Sequence, residues 1–370
     1  MKNNAILGIV FGNCNDASLG EMTDVRASGS VPFGGRYRLI DFSLSNLVHA
    51  DVSRVAVMTS ANYRSLMDHL ESGKSWDLAR QNGGLTIVPP RSYGGGLNDS
   101  KIGFLQSMLD YITRAPEEYV ALCDADVVSN IDIKDMLRRH IESEAEVTIA
   151  YTHGAAPHGE NNVMRFTVGA DGVLTDIALA RQGEVCDFSL DIILLKKALL
   201  CNIILEAVSR NLYNPASEVF LPKVHELRMV GYPVTGFCAV IDSIRSYVDA
   251  NMKLLDPAIR HELFRKDRKV YTKVRNEMPA KYGLDSHVAN SLITNGCIIE
   301  GRVENSILFR GVKVGKGAVV RNCILMQSTV VGDNATLDYV CTDKNVTIGE
   351  GRTLSGSEEY TVYIRKGSEV

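Results

Sequence analysis

Several patterns that would announce chemistry are missing from this chain. Its eight cysteines (Cys14, Cys123, Cys186, Cys201, Cys238, Cys297, Cys323 and Cys341) are scattered without a CxxC pair, and its eight histidines form no HxH or HExxH. Zinc sites and thiol redox motifs need short spacings that let two donors converge, so neither is expected. The cysteines read as reduced and mostly buried, in a reducing compartment. A formal charge of -4 provides no global field to attract nucleic acid or an anionic membrane. No apolar run approaches the roughly 20 residues that a membrane span requires. The start, MKNNAILGIVFGN, enters strand-like sequence without the charged and apolar regions of a signal peptide. The expected location is the cytoplasm, with neither nucleic acid nor membrane as partner.

What is present divides into two halves with different periods. Over the first 250 residues or so, short apolar runs alternate with stretches of helical spacing. The runs are Ala5 to Phe11, Val55 to Thr59, Leu85 to Val88, Tyr119 to Cys123 and Glu146 to Tyr151. Between them lie Ile40 to His49, Tyr63 to Leu70 and Leu105 to Tyr111. Strands separated by helix-length segments predict an α/β domain over 1–255, Rossmann-like, with a mostly parallel sheet. Ligands in such sheets bind beyond the carboxyl ends of the strands. The segment 256–286, with its charged HELFRKDRK stretch, reads as a linker or surface helix end.

From about His287 the chain becomes strand and turn. Val314-Gly-Lys-Gly-Ala318, Val331-Gly-Asp-Asn-Ala335 and Ile348-Gly-Glu-Gly-Arg352 recur every 17 residues. Within them apolar residues fall six apart: Val314 and Val320, Val331 and Leu337, Ile348 and Leu354. That period predicts a left-handed parallel β-helix of hexapeptide repeats over 287–370.

The run Val31 to Asn46, VPFGGRYRLIDFSLSN, resembles the segment after the phosphate loop in bacterial glucose-1-phosphate adenylyltransferases. Further similarities follow in the family's order: Trp76 to Leu78, Asn82 to Gly84, Thr86 to Pro90, Val147 to Ala150, Asp249 to Leu255, Asn290-Ser291, Gly296-Cys297 and Asn305 to Leu308. The family joins ATP and glucose 1-phosphate into ADP-glucose for glycogen synthesis. Its chemistry is positioning plus neutralisation of charge by Mg²⁺ and basic groups.

Set against that resemblance, the site is eroded. The phosphate-loop glycine pair falls on Asn13 and Cys14, the third glycine on Asp16 and the arginine on Ser18. The following lysine becomes Ser28, and the basic pair before it becomes Asp24-Val25. The GTADA segment falls on Ser100 to Phe104 (SKIGF). Of two metal-binding aspartates, one is kept as Asp126, with Asp132 at the later aspartate, while the other becomes Val240. A shifted role for the neighbouring Asp242 is the alternative there. The sugar-phosphate glycine becomes Thr167, its lysine has no counterpart in Asp176 to Glu184, and its serine survives as Ser189. Arg36, Arg38 and Asp41 lie in the preserved motif, to bind anions or to form ion pairs between domains.

The resemblance therefore implies a family member like the non-catalytic D-type subunit. No catalytic residue is expected beyond the vestigial Asp126, and Ser189 and Arg38 are the candidate ligand-binding residues. No metal site or cofactor is expected, Mg²⁺ entering only if the chain is an active nucleotidylyltransferase after all. The implied partner is a catalytic subunit in a heterotetramer, with residual binding of sugar phosphate or nucleotide left open. Hexapeptide helices also build acyltransferases, which need a histidine base; His287, ahead of the first clear coil, is the nearest.

Overall fold

A computed structural model describes residues 5–13, 16–59, 62–89, 100–157 and 163–370; Cys14 and Pro90 lie outside them. Nine strands form the main sheet: Ile6–Phe11 (β1), Arg54–Met58 (β2), Gly84–Val88 (β3), Tyr119–Asp124 (β4), Val147–Ala155 (β5), Met164–Val168 (β6), Leu174–Leu179 (β7), Val185–Lys196 (β8) and Met229–Pro233 (β9). The strands β3, β2, β1 and β4 lie side by side and all parallel. The long β8 then runs antiparallel to β4, β5 and β6. The sheet is therefore mixed beyond β4. An apolar run marks a buried strand but carries no information on its direction, so the antiparallel part was not legible in the sequence.

Both faces are covered, as the continuous apolar runs require. Leu7, Ile9 and Phe11 of β1 enter one core with Ile102, Leu105 and Ile204, which lie on the helices Lys101–Ser107 and Lys197–Ser209. Ile6 and Val10 point the other way, to Leu44 and Leu47 of Ile40–His49 (α1). That helix packs so closely that a Cβ on Gly8 would meet Leu47 Cδ1 at 2.9 Å.

The C-terminal part is three parallel sheets of five strands each, consistent with the left-handed hexapeptide helix. Val314, Val331 and Ile348 stack in register, as do Val320, Leu337 and Leu354. One column of corners is left-handed: Asn290, Asn305, Asn322 and Tyr339 have φ of 42° to 52°. Asparagine tolerates that conformation, and the Asn290 amide donates to Asn305 Oδ1 at 2.8 Å. Two boundaries differ from the sequence reading. The first coil strand is Lys281–Tyr282, ahead of His287, paired with Ile298–Ile299. Both residues are exposed and lack the apolar signature, so only backbone pairing reveals them. The expected linker also holds the helix Pro257–Leu263, capped by the Asp256 carboxylate. Leu263 is buried and Phe264 stacks on Tyr37 at 4.9 Å, anchoring the charged stretch.

The two parts share a core. Leu19, Phe33, Phe42 and Tyr247 pack with Ile307, Phe309, Ile324, Met326 and Cys341 of the β-helix. At the same seam Arg26 Nη2 donates to both oxygens of Asp343, at 2.8 and 2.9 Å.

Candidate functional site

The carboxyl end of β4 opens on a cleft lined by Asp124, Asp126, Ser189, Asp191, Val240 and Asp242. Asp124 closes β4, and Asp126 follows one turn residue later. A two-stranded ribbon, Val127–Ser129 with Cys238–Val240, pairs Val127 with Val240. The Ile241 N–H also donates to the Asp126 carbonyl at 3.0 Å. The ribbon thus brings Asp126 and Val240 into one cleft, the two positions that the resemblance assigned to metal binding. Burial, reinforced by the Asp124 charge, raises the Asp126 pKa well above the ordinary carboxylate range.

Asp242 is in the same cleft, and its Oδ1 accepts from Ser243 Oγ at 3.1 Å, where the helix Ile244–Lys253 is capped. Asp132 lies apart: it caps the helix Ile133–Glu142 through the Asp135 N–H at 2.9 Å and pairs with Arg268. Ser189 reaches the cleft, but its hydroxyl is engaged. It donates to Asp191 Oδ1 at 3.1 Å and accepts from the Asp191 N–H at 2.9 Å. This contact holds an irregular stretch of β8 between Ser189 and Ile193, where Asp191 has φ 51°.

The resemblance implies Mg²⁺ here, and the donor set does not fit it. Val240 supplies no oxygen. Asp124 and Asp191 both face the ammonium of Lys101, at 2.5 and 3.0 Å. Among the described residues no three His, Cys, Asp or Glu side chains are grouped to hold a metal ion. Lys101 and Asp191 were not singled out from the sequence. The signal for Lys101 was its place in SKIGF, the segment that the resemblance sets against the family's nucleotide-contacting GTADA.

Asp16 Oδ1 accepts from the Ser28 N–H at 2.7 Å, so this carboxylate ties two loops together. The Gly29 N–H donates to the Gly12 carbonyl at 2.9 Å, closing the same seam. A Cβ on Gly29 would lie 3.0 Å from that oxygen. Thr167 sits exposed on β6, opposite Asp176.

Arg38 lies elsewhere, at the seam between the two parts. Its Nη1 donates to the Ser65 carbonyl at 2.6 Å, and its backbone N–H to Asp41 Oδ2 at 2.9 Å. Asp41 in turn faces His69 Nε2 at 2.5 Å. These contacts of Arg38 and Asp41 lie within the N-terminal part, whereas the sequence reading had them pair across to the neighbouring domain. Arg38 also lines a small cavity with Arg36, Lys273, Arg275 and Arg310. Burial lowers its pKa to about 10. Burial beside Arg38 and Arg26 likewise lowers Lys344 to about 7. Crowded cations of this kind suit an anion. His287 is exposed on the first coil, 4.0 Å from Glu304.

Comparison with known proteins agrees with this architecture. Residues 18–164 match the nucleotidyl transferase family, and residues 278–360 match a GlmU-like C-terminal hexapeptide family. The class is thus a nucleotidyltransferase domain joined to a hexapeptide β-helix. The chain is 36% identical over 368 residues to the glycogen biosynthesis protein GlgD of Bacillus subtilis (strain 168), covering 99% of this chain and 97% of that one. GlgD of Geobacillus stearothermophilus is similar to the same extent, 36% over 368 residues with 99% and 97% covered. Glucose-1-phosphate adenylyltransferase of Clostridium perfringens (strain 13 / Type A) is 30% identical over 373 residues, with 95% and 92% covered. The chain belongs to the glucose-1-phosphate adenylyltransferase family of glycogen biosynthesis. No helix among the described residues is long and apolar enough to cross a membrane.

Proposed function

We propose that this chain is a catalytically degenerate, regulatory subunit of ADP-glucose synthesis. Its partner is a catalytic glucose-1-phosphate adenylyltransferase chain, in a cytoplasmic hetero-oligomer with heterotetramer stoichiometry. The observation that carries this reading is Val240 facing the cleft of Asp126, where the chemistry needs a second carboxylate. Removing one group that stabilises transition-state charge costs about 3–4 kcal/mol, a hundred- to a thousandfold in rate. Here the phosphate-loop glycines and arginine are replaced as well. The scaffold around them is intact, so a role through contacts with another chain remains. An anionic effector at the cationic seam cavity of Arg36, Arg38 and Arg275 would give such contacts something to respond to.

The alternative is an active nucleotidylyltransferase, favoured by Asp242 in the same cleft. One experiment separates the two. The purified chain is assayed with ATP, glucose 1-phosphate and Mg²⁺, alone and then with an intact-loop homologue. No ADP-glucose from the chain alone, together with altered kinetics of the homologue, is the expected result. A metal-dependent rate from the chain alone that disappears in Asp126→Ala would establish the alternative.

A further inference from the structure

We propose that the ammonium of Lys101, reaching in from the adjoining cavity, is a built-in counter-ion for the Asp124 and Asp191 carboxylates that line this cleft and withholds them from a divalent cation. This deepens the non-catalytic reading and rests on it. Four aspartates, Asp124, Asp126, Asp191 and Asp242, line the one cleft. Three of them are nearly inaccessible, at 4%, 3% and 2% exposure for Asp124, Asp126 and Asp242. Like charges withdrawn from water repel one another strongly, and a cation among them relieves that repulsion. In a metal-dependent site the ion itself does this.

Lys101 is placed for that role by several independent contacts. It opens the helix Lys101–Ser107, whose preceding residue Ser100 accepts from the Gly103 N–H at 3.0 Å and so sets the helix start. Its ammonium lies over the ring of Phe11, with Nζ 5.5 Å from the centroid. The ammonium then bridges Asp124 Oδ2 at 2.5 Å and Asp191 Oδ2 at 3.0 Å, two carboxylates far apart in sequence. Asp191 is aimed at it by the left-handed backbone that Ser189 holds. The surviving Ser189 is thus a positioning residue for the ion pair. Val240 and Lys101 act in the same direction: one removes a negative charge from the cleft and the other adds a positive one. Carboxylates already engaged by an ammonium gain less from Mg²⁺, which must lose tightly held water to bind them.

The test is metal binding by the full-length chain, followed as thermal melting in EDTA and in millimolar Mn²⁺ or Mg²⁺. Lys101→Met, which keeps the stem and removes the charge, is expected to melt below wild type in EDTA. Mn²⁺ should restore it, with affinity at least about tenfold above that of wild type. Wild type and Lys101→Arg should show no metal-dependent shift. Equal metal shifts in wild type and Lys101→Met would overturn the proposal. So would a lowered melting temperature that Mn²⁺ fails to restore, which would leave Lys101 a structural ion pair only. Unchanged melting of Lys101→Met with no metal response would overturn it equally. If Lys101→Met does not fold, the double variant Lys101→Met/Asp191→Asn removes one charge of each sign. It is expected to bind Mn²⁺ more tightly than wild type, and binding no tighter rejects the idea. Turnover by the wild-type chain is a separate outcome, which ends the non-catalytic reading whatever Lys101→Met does.

Discussion

Val240 is brought beside Asp126 by a two-stranded ribbon, so a single substitution can put a carboxylate where the resemblance implies one. Val240→Asp is nevertheless expected to leave ADP-glucose synthesis at background in a coupled pyrophosphate-release assay. The phosphate-loop arginine and the sugar-phosphate lysine would still be missing, Lys101 would still hold Asp124 and Asp191, and groups that act as a unit are rescued together or not at all. Measurable turnover from that one change would show that loop divergence matters less than the metal position. A second residue-scale outcome concerns stability. His140 is 1% exposed, contacts Thr148 Oγ1 at 2.8 Å, and burial lowers its pKa to about 4. Between that value and the ordinary 6.5 the unfolded chain carries a proton at this site that the folded chain refuses. Its contribution to stability is therefore present above pH 6.5 and is lost as pH falls toward 4. The loss runs at up to about 1.4 kcal/mol per pH unit. His140→Gln should flatten the acid side of the denaturation profile by one proton; an unchanged slope would refute the assignment.

Elements of the two domains are joined by a charge pair as well as by apolar contacts. Arg26 and Asp343 are 2% and 1% exposed, and Asp343 also accepts from Tyr363 Oη at 3.0 Å. Asp343→Ala leaves a buried guanidinium without its carboxylate and should cost about 3–5 kcal/mol in urea unfolding. The double variant Arg26→Met/Asp343→Leu should recover most of that loss, because no charge then stays buried alone. A small effect of Asp343→Ala would mean that water reaches the seam. Within the β-helix, Gly301 sits where a Cβ would lie 2.4 Å from the Ala318 carbonyl and 2.6 Å from that of Gly315. Both are backbone atoms of the next coil and cannot swing aside. Gly301→Ala should therefore lower the melting temperature of the β-helix, whereas Gly351→Ala should be milder, as its Cβ meets nothing within 4 Å and its only strain is a φ of 65°.

For the whole molecule, the partner reading predicts co-elution with an intact-loop homologue and a change in its kinetics. Separate elution at micromolar concentration with unchanged kinetics would reject it. Truncation at His287 is a poor probe of assembly. The β-helix supplies Ile307, Phe309 and Met326 to a core shared with Phe33 and Phe42, so its removal would expose the N-terminal domain. Point changes are cleaner. Val274, Met278 and Leu284, which flank the first coil strand Lys281–Tyr282 in sequence, are 76%, 82% and 105% exposed. Exposed apolar side chains of this kind are a plain target for an assembly test. Met278→Glu with Leu284→Glu should weaken co-elution while leaving the melting temperature within a degree or so of wild type, since neither side chain is packed.

By itself the sequence determined the two-part architecture, because hydrophobic period is a local property. Strand runs, the helix Ile40–His49 and the 17-residue stacking of Val314, Val331 and Ile348 were all legible from it. Substitution of site residues, such as Val240 for a carboxylate, was legible for the same reason: identity at a position needs no geometry. Only tertiary structure decided what the remaining polar groups do. Asp16 ties down a neighbouring loop, Ser189 holds Asp191, and Lys101 spans two aspartates that lie on different strands. Such pairings join residues distant in the chain, and spacing along a sequence carries no record of which charges meet once the sheet has closed.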